Sequence, residues 1–205
     1  RSLSQFFSVH PTHPQQRLLN QAAEIVAKGG LVVYPTDTTY ALGCHIGDKN
    51  ALDRVRLIRR LDKNHDLTLV CRDLSELGSY ARVDNAAYRI LKRLTPGPYT
   101  FLLPATREVP RRLVHPKKKT IGLRVPDNPI ALGLLEALGE PMMTTTMRLP
   151  GDELPLLDPE EIRERLENAV DVVIDGGFAG VEPTTVVDLT VTGGEVIRAG
   201  AGEFD

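Results

Sequence analysis

The chain has 205 residues and a net charge of −2, with 41% hydrophobic and 25% charged residues, the composition of an ordinary folded domain with a sizeable core. No apolar run approaches the length that spans a bilayer, and the start of the chain lacks the apolar segment of a secretory signal. The two cysteines, Cys44 and Cys71, lie far apart without metal-type spacing. We therefore expect a cytoplasmic protein with reduced cysteines, no membrane partner and no metal site.

Apolar residues recur at helical and strand periods through the first half of the chain. Leu18, Ala22 and Ile25 fall on one face of a predicted helix that ends at Gly29 and Gly30. Residues 52–58 predict a second helix, residue 73 opens a third with a capping-box pattern, and residues 87–94 predict a fourth. The predicted strands between these helices are residues 31–34, 67–71 and 99–103.

The second half of the chain continues this alternation. Asn128, with Pro129 at the first helical position, opens a helix before Gly139, and Asp158 opens another. The predicted strands are residues 120–125, 141–146, 172–174, 185–189 and 195–197, the last two joined as a hairpin. Helices alternating with strands predict an α/β fold: one domain over residues 1–205, with its core at about 15–202, on a twisted mixed sheet.

The most distinctive local pattern follows the first predicted strand. The hydrophobic run ending at Tyr34 breaks at Pro35 and continues into small polar residues, among them Thr36 and Asp37. Hydroxyl and carboxylate groups just past a buried strand are placed where α/β folds bind ligands such as an amino acid or a phosphate. The same residues also suit a turn whose side chains bond to their own backbone. The residues by themselves leave both interpretations open.

Positive charge is concentrated in residues 54–63 and 107–124. If these two segments share a face, they create a local field that attracts anions, and phosphate contacts by Arg and Lys are then possible. The alternative is a pair of solvated surfaces. The candidate RNA-binding residues are Arg54, Arg56, Arg60, Lys117, Lys118 and Lys119.

Several common catalytic motifs are missing from the sequence. There is no G-x-x-x-x-G-K-[ST] phosphate loop, no G-x-G-x-x-G dinucleotide motif and no G-x-S-x-G nucleophile motif. Tryptophan is absent and aromatic residues make up only 5% of the chain, which disfavours binding of single-stranded nucleic acid by base stacking. His10 and His13 lie close together without nearby carboxylates, which does not predict a metal site.

Five motifs in this order resemble the YrdC/YciO family. They are YPTDT at 34–38, TPGPYT at 95–100, LRVPDNP at 123–129, PTTVVDLT at 183–190 and VIRAG at 196–200. The resemblance runs from about Leu18 to Gly202. It implies a YrdC-like fold with a concave basic face, and synthesis of threonylcarbamoyl-AMP from L-threonine, bicarbonate or CO2, and ATP. Mg²⁺ would accompany the ATP, pyrophosphate would leave, and the product would serve the t6A modification of tRNA.

The resemblance also assigns residues motif by motif. Those that fall where the family holds L-threonine are Thr36, His65, Arg124, Thr144 and Thr184. Those that fall where it holds ATP are Arg59, Thr120, Thr146 and Arg198. Arg59 and Arg198 are the expected catalytic cations, because displacement at the α-phosphate needs positive charge near the reacting oxygens.

The sequence departs from the synthases at the nucleotide end and resembles the YciO branch there. Synthases have Lys-x-Arg at the end of the second helix, where this chain has Arg59 and, two residues later, Leu61. They have Ser-x-Asn where this chain has Thr146 and Arg148. Weak or altered synthesis is therefore one expectation. The alternatives are a double-stranded RNA, tRNA or ribosome-binding protein on the same scaffold, and a nucleotide-binding protein without turnover.

Overall fold

A computed structural model describes residues 4–205; residues 1–3 of the predicted domain lie outside the described part. The described residues form an α/β domain with one mixed sheet and six α-helices. The strands are β1 Gln5–Ser8, β2 Val32–Pro35, β3 Tyr40–His45, β4 Thr68–Val70, β5 Tyr99–Pro104, β6 Thr120–Arg124, β7 Met142–Thr146, β8 Val172–Asp175, β9 Thr185–Asp188 and β10 Glu195–Arg198. The helices are α1 Gln16–Ala27, α2 Lys49–Arg59, α3 Leu74–Tyr80, α4 Asn85–Leu94, α5 Pro129–Leu138 and α6 Pro159–Leu166.

The strands form a single sheet in the order β1-β8-β2-β3-β7-β4-β6-β5-β9-β10. The pairs β1–β8, β2–β8, β4–β6 and β5–β9 are parallel, and the other neighbours are antiparallel. The predicted mixed sheet and the terminal hairpin of β9 and β10 are therefore confirmed.

Polar caps fix where the helices begin. Five of the six helices start after an Asp or Asn whose side chain accepts a hydrogen bond from a backbone N–H in the first turn, which satisfies a donor that the helix itself leaves unpaired. These residues are Asp48, Asp73, Asp84, Asn128 and Asp158. Gly139 ends α5 with φ of 76°, a left-handed conformation that favours glycine.

Strand alternation divides the core into two clusters, one on each face of the sheet. On β2, Val32 and Tyr34 belong to the cluster that contains Leu19 of α1 and Leu134 of α5, whereas Val33 belongs to the other cluster. Helices α1 and α5 cover the β8, β2 and β3 region of the first face. The rest of that face, from β7 to β9, is left for the site described below.

Two strands were not predicted. β3 contains Ala41, Gly43 and Cys44, small residues that do not carry a strong strand signal. It pairs with β2 as a hairpin, so the polar segment after Pro35 is the turn of that hairpin. Gly43 packs closely, since a Cβ there would lie 3.1 Å from the Tyr34 ring, a tight contact that would need a small shift of the ring. β1 is four residues long and half exposed, and its pairing with β8 is non-local.

Candidate functional site

A cleft of about 680 Å³ opens on the uncovered part of the sheet. Most of the predicted threonine and nucleotide residues line it: Thr36, Arg59, His65, Arg124, Thr144, Thr146, Thr184 and Arg198. They come from the β2–β3 turn, the end of α2 and the loop after it, and strands β6, β7, β9 and β10 or their flanks. Segments that are distant in the sequence therefore meet at one cavity.

The floor of the cleft follows a row of residues in register across five strands, of which Thr68, Leu102 and Thr144 line the cavity. Gly43, Thr144, Thr68, Gly122 and Leu102 stand in register across β3, β7, β4, β6 and β5. Residues paired across strands point to the same face of a sheet. A Cβ on Gly122 would lie 2.7 Å from the Thr68 Oγ1, so a larger residue at this position would clash with the Thr68 side chain.

Thr36 lines the cleft, and its hydroxyl forms hydrogen bonds within the β2–β3 turn. Its Oγ1 accepts hydrogen bonds from the backbone N–H groups of Thr38 (3.1 Å) and Thr39 (3.2 Å), and donates to the Thr39 carbonyl oxygen at 2.6 Å. The two sequence interpretations of this segment therefore describe the same residues: a self-bonded turn forms one wall of the cavity.

Arg124 is buried at the end of β6, with its side chain 7% exposed, and pairs with Asp37. Its guanidinium also donates to Thr38 Oγ1 and to the Gly97 carbonyl oxygen, each at 3.4 Å. The other Asp37 oxygen accepts the backbone N–H of Asp127 at 3.0 Å. The Arg124 Nε is buried without a hydrogen-bond partner. This end of the cleft thus contains a neutralised ion pair and one unsatisfied donor.

Two buried hydroxyl pairs continue the wall from Arg124. Tyr34 Oη and Thr144 Oγ1 are 2.6 Å apart, and Thr100 Oγ1 and Thr184 Oγ1 are 2.8 Å apart. Burial raises the pKa of Tyr34 to about 12, so this phenol is protonated at neutral pH. Sequence reasoning did not assign Tyr34 or Thr100 to the site. The register of β2 against β3 would identify Tyr34, but β3 was itself unpredicted.

Three further arginines, Arg59, Arg148 and Arg198, line the cleft; we call them the arginine cluster. The part of the cleft that they line, the open end, meets the Arg124 end at Thr184, to which Arg198 is bonded. Arg59 donates from Nη1 to the Arg148 carbonyl oxygen (2.8 Å) and from Nε to Thr145 Oγ1 (3.3 Å). Arg198 donates from Nη2 to the carbonyl oxygen (2.7 Å) and Oγ1 (2.9 Å) of Thr184. Burial, and after it the charge of Arg148, lowers the pKa of both Arg59 and Arg198.

His65 lies in the loop after α2 and lines the same cavity. Partial burial lowers the pKa of its imidazole from 6.5, with a further lowering by the charge of Arg59, so the ring is neutral at neutral pH. Thr120, predicted to bind ATP, is not among the cleft-lining residues. It begins β6 opposite Pro104, and its buried hydroxyl has no hydrogen-bond partner among the described residues.

The residues that differ from the synthase pattern, and Arg60 beside them, differ in whether they line the cleft. Leu61 packs against the core, and its backbone N–H bonds to the Arg56 carbonyl oxygen. Arg60 is exposed, caps α2 with φ of 54° and is not among the residues that line the cleft. Arg148, in contrast, does line it. Arg148 therefore brings a positive charge to the cleft lining, whereas Leu61 does not line the cleft.

The candidate RNA-binding residues lie outside the cleft lining. Arg54 pairs with Asp171 at 2.9 Å and bonds to the Ala169 carbonyl oxygen, so it joins α2 to the start of β8. Arg56 donates to the Asp62 carbonyl oxygen at 3.1 Å. The exposed remainder are Arg60, Lys117, Lys118 and Lys119. Arg59 and Arg124 are the members of the two basic segments that reach the cavity.

Within residues 4–205, no group of three or more His, Cys, Asp or Glu side chains is arranged to hold a metal ion. The cleft lining includes the carboxylates of Asp66 and Glu153. None of the helices in the described range is long and apolar enough to cross a membrane.

Comparison with known proteins identifies relatives over nearly the whole chain. The Sua5/YciO/YrdC family model, described as "Telomere recombination", matches residues 24–200. The uncharacterized protein YciO of Escherichia coli K12 is 60% identical over 98% of both chains. The crystal structure of E. coli YciO superposes with a TM-score of 0.94, covering 98% of this chain and 97% of that one.

More distant relatives have a stated activity or ligand. A threonylcarbamoyl-AMP synthase of Cellvibrio japonicus is 28% identical over 88% of this chain and 94% of its own. The structure of P. abyssi Sua5 complexed with L-threonine is 27% identical, with a TM-score of 0.87 over 95% of this chain and 57% of that one.

Proposed function

Because the chain belongs to the Sua5/YciO/YrdC family, we propose that it binds L-threonine and ATP in the cleft and joins them, with bicarbonate or CO2, into threonylcarbamoyl-AMP. The observation that carries this proposal is the polarity of one cavity: hydroxyls and Arg124 at one end, and the arginine cluster at the other. Such a cavity suits an amino acid at the first end and a phosphate chain at the second.

The threonine end offers matched donors. Arg124 lines the cleft and would bind the amino-acid carboxylate through its guanidinium, and the hydroxyl pairs formed by Thr144 and Thr184 would bond to a substrate hydroxyl or amine. The L-threonine complex of the P. abyssi relative supports this assignment. The carboxylate would share the guanidinium with Asp37, which fixes its orientation.

The proposed reaction has two bond-forming steps. The neutral amine of threonine adds to CO2 and gives a carbamate, with the amine proton released to solvent; starting from bicarbonate, a water molecule leaves instead. A carbamate oxygen then attacks the α-phosphorus of ATP, the bond to the β-phosphate oxygen breaks, and pyrophosphate leaves. Because the carbamate is already an anion, its attack on phosphorus needs no general base. The arginine cluster stabilises charge on the phosphate oxygens, with Arg59 and Arg198 as the catalytic cations.

Magnesium would enter with the nucleotide as part of the substrate. The described residues do not form a group of carboxylates and imidazoles that would hold a resident metal ion. The adenylate product would be consumed by an enzyme that transfers the threonylcarbamoyl group to tRNA. Because Leu61 and Arg148 alter the nucleotide end, we expect synthesis slower than that of the synthases.

The test measures pyrophosphate release with threonine, bicarbonate and ATP, and with each omitted in turn. We expect release only when all three are present. Arg124→Ala should abolish threonine binding measured by calorimetry, and Arg124→Lys should restore the charge but not the two-pronged contact. Arg89→Ala, which removes an exposed arginine of α4, is the control. Release that does not depend on threonine would contradict the proposal.

Binding of double-stranded RNA or tRNA is the second candidate, favoured by the exposed turn that carries Lys117, Lys118 and Lys119. His115 shapes this turn, since its Nδ1 accepts the backbone N–H groups of Lys117 (3.2 Å) and Lys118 (3.1 Å). Changing the three lysines to glutamate should weaken binding of duplex RNA, and wild-type affinity should fall steeply with salt. Affinity that is insensitive to both changes would exclude this surface.

A further inference from the structure

The arginine cluster brings positive charges together without a carboxylate partner. Every ion pair among residues 4–205 leaves out Arg59, Arg148 and Arg198. Their contacts go to carbonyl and hydroxyl oxygens instead, which position the guanidinium groups without neutralising them. The cluster therefore has no ion-pair partner in this part of the chain, and the carboxylates of Asp66 and Glu153, which also line the cleft, form no salt bridge with it.

This proximity has an electrostatic cost in the free protein. Burial is the main reason that the pKa values of Arg59 and Arg198 fall, and the charge of Arg148 lowers both further. Arg148 is thus the one member that interacts with the other two. A bound polyanion would reverse the sign of this interaction, because each cation would then face negative charge.

Hydrogen bonds to the protein hold Arg59 and Arg198 in position without a ligand. Arg59 is tied to the loop after β7 through the Arg148 carbonyl oxygen and to β7 through Thr145 Oγ1, and Arg198 is tied to Thr184. A guanidinium carries more N–H donors than these contacts use, so donors remain for phosphate oxygens. Ordering these side chains beforehand lowers the entropy cost of binding.

We propose that the arginine cluster binds a diphosphate group directly, with no divalent cation between protein and phosphate, and that Arg148 is the residue that determines this. The inference deepens the proposed function, since it assumes that the phosphate chain of the nucleotide occupies this end of the cleft. Three guanidinium groups supply the neutralising charge that a metal ion supplies at sites built around carboxylates.

The test uses sodium pyrophosphate, without nucleoside, in isothermal titration calorimetry. Wild-type protein is titrated in EDTA and in excess Mg²⁺, alongside Arg148→Asn, Arg148→Lys and the control Arg89→Ala. We expect wild-type and Arg89→Ala to bind pyrophosphate in EDTA at least as tightly as in Mg²⁺. Arg148→Asn should lose about tenfold or more of the affinity in EDTA, the effect of one charged hydrogen bond, with a smaller loss in Mg²⁺. The affinity of Arg148→Lys for pyrophosphate in EDTA should lie between those of wild-type and Arg148→Asn.

Two results would overturn the proposal. One is wild-type binding that requires Mg²⁺ or is absent in both conditions; the other is Arg148→Asn binding in EDTA as wild-type does. Since Arg148 is exposed, its variants are expected to fold, and thermal melts of each variant check this. Pyrophosphate binding in EDTA without any threonine-dependent synthesis would retain this inference and reject the proposed function. Synthesis together with metal-dependent pyrophosphate binding would do the opposite.

Discussion

The two ends of the cleft differ in whether their arginine side chains are paired with a carboxylate. At the Arg124 end, this arginine is buried and paired with Asp37, and the neighbouring hydroxyls of Tyr34, Thr144 and Thr184 bond within the protein. At the open end, the arginine cluster is partly exposed and forms no ion pair among the described residues. The positive charge of the first end is balanced within the protein, whereas that of the second end is not.

This difference teaches which residues stabilise the fold and which are available for binding. A buried charge must be paired, because leaving it alone in the interior is costly. A partly exposed charge is still hydrated and can remain unpaired until an anion arrives. Substitutions at the first end should therefore change stability as well as binding, and substitutions at the second end should change binding almost alone.

The largest expected effect is that of Asp37→Ala. It leaves the buried Arg124 guanidinium without its carboxylate and removes the acceptor of the Asp127 N–H, which also ties the β2–β3 turn to the start of α5. We expect the free energy of unfolding to fall by about 3–5 kcal/mol, measured by urea denaturation. Asp37→Asn, which keeps an acceptor oxygen, should lose less. Equal stability of wild-type and Asp37→Ala would show that this end is not closed by the ion pair.

Tyr34→Phe should have a smaller effect of the same kind. It removes the phenol that lies 2.6 Å from Thr144 Oγ1 and leaves that buried hydroxyl short of a partner. The expected loss is about 1–3 kcal/mol of unfolding free energy, with weaker threonine binding in calorimetry. The double variant Tyr34→Phe with Thr144→Val removes both groups and should recover part of the loss. No recovery would mean that the two hydroxyls do not act as a pair.

Much of the fold was predictable because its signals are local. Caps such as Asn128 and the short apolar runs of β2 and β5 are signals carried by residues next to one another, and the structure confirms those elements. β3 and β1 were missed because their strand character comes from pairing with distant segments rather than from β-branched residues.

For the site, the sequence predicted which residues take part but not which side chains pair with one another. Motif resemblance assigned Arg124 and Arg198, but nothing in the sequence indicates that Arg124 is paired with Asp37 while Arg198 is not paired with an acid. Tyr34 was assigned to a strand, and its ring packs against Gly43 on the unpredicted β3. Partners across strands depend on register, which local patterns do not specify.

At the open end, Arg148→Asn should leave stability nearly unchanged. The side chain is exposed and forms no ion pair among the described residues, and removing it relieves repulsion on Arg59 and Arg198. We expect a change of unfolding free energy within about 0.5 kcal/mol, measured by the same urea denaturation as Asp37→Ala. A loss of several kcal/mol would place Arg148 in the structural framework and remove the contrast between the two ends.

The smallest effect expected is the pH response of His65, which lines the cleft and is affected by the charge of Arg59. Its pKa is lowered in the folded protein, so at a pH between that value and 6.5 the unfolded chain binds more protons than the folded one. Stability should therefore rise slightly with pH through this window and become independent of His65 above it. His65→Gln, compared with wild-type in urea denaturation at each pH, isolates this contribution.

A proton NMR titration of His65 also tests how far the charge of the open end reaches. Burial is the main cause of the lowered pKa and Arg59 is the next, so Arg59→Ala should raise the pKa only partly toward 6.5. Pyrophosphate should raise it in wild-type protein, because a bound anion offsets the charge of Arg59, and should raise it less in Arg59→Ala. If pyrophosphate leaves the pKa of His65 unchanged, the ligand does not offset the charge of Arg59. The binding position would then have to lie farther from Arg59 and nearer to Arg198.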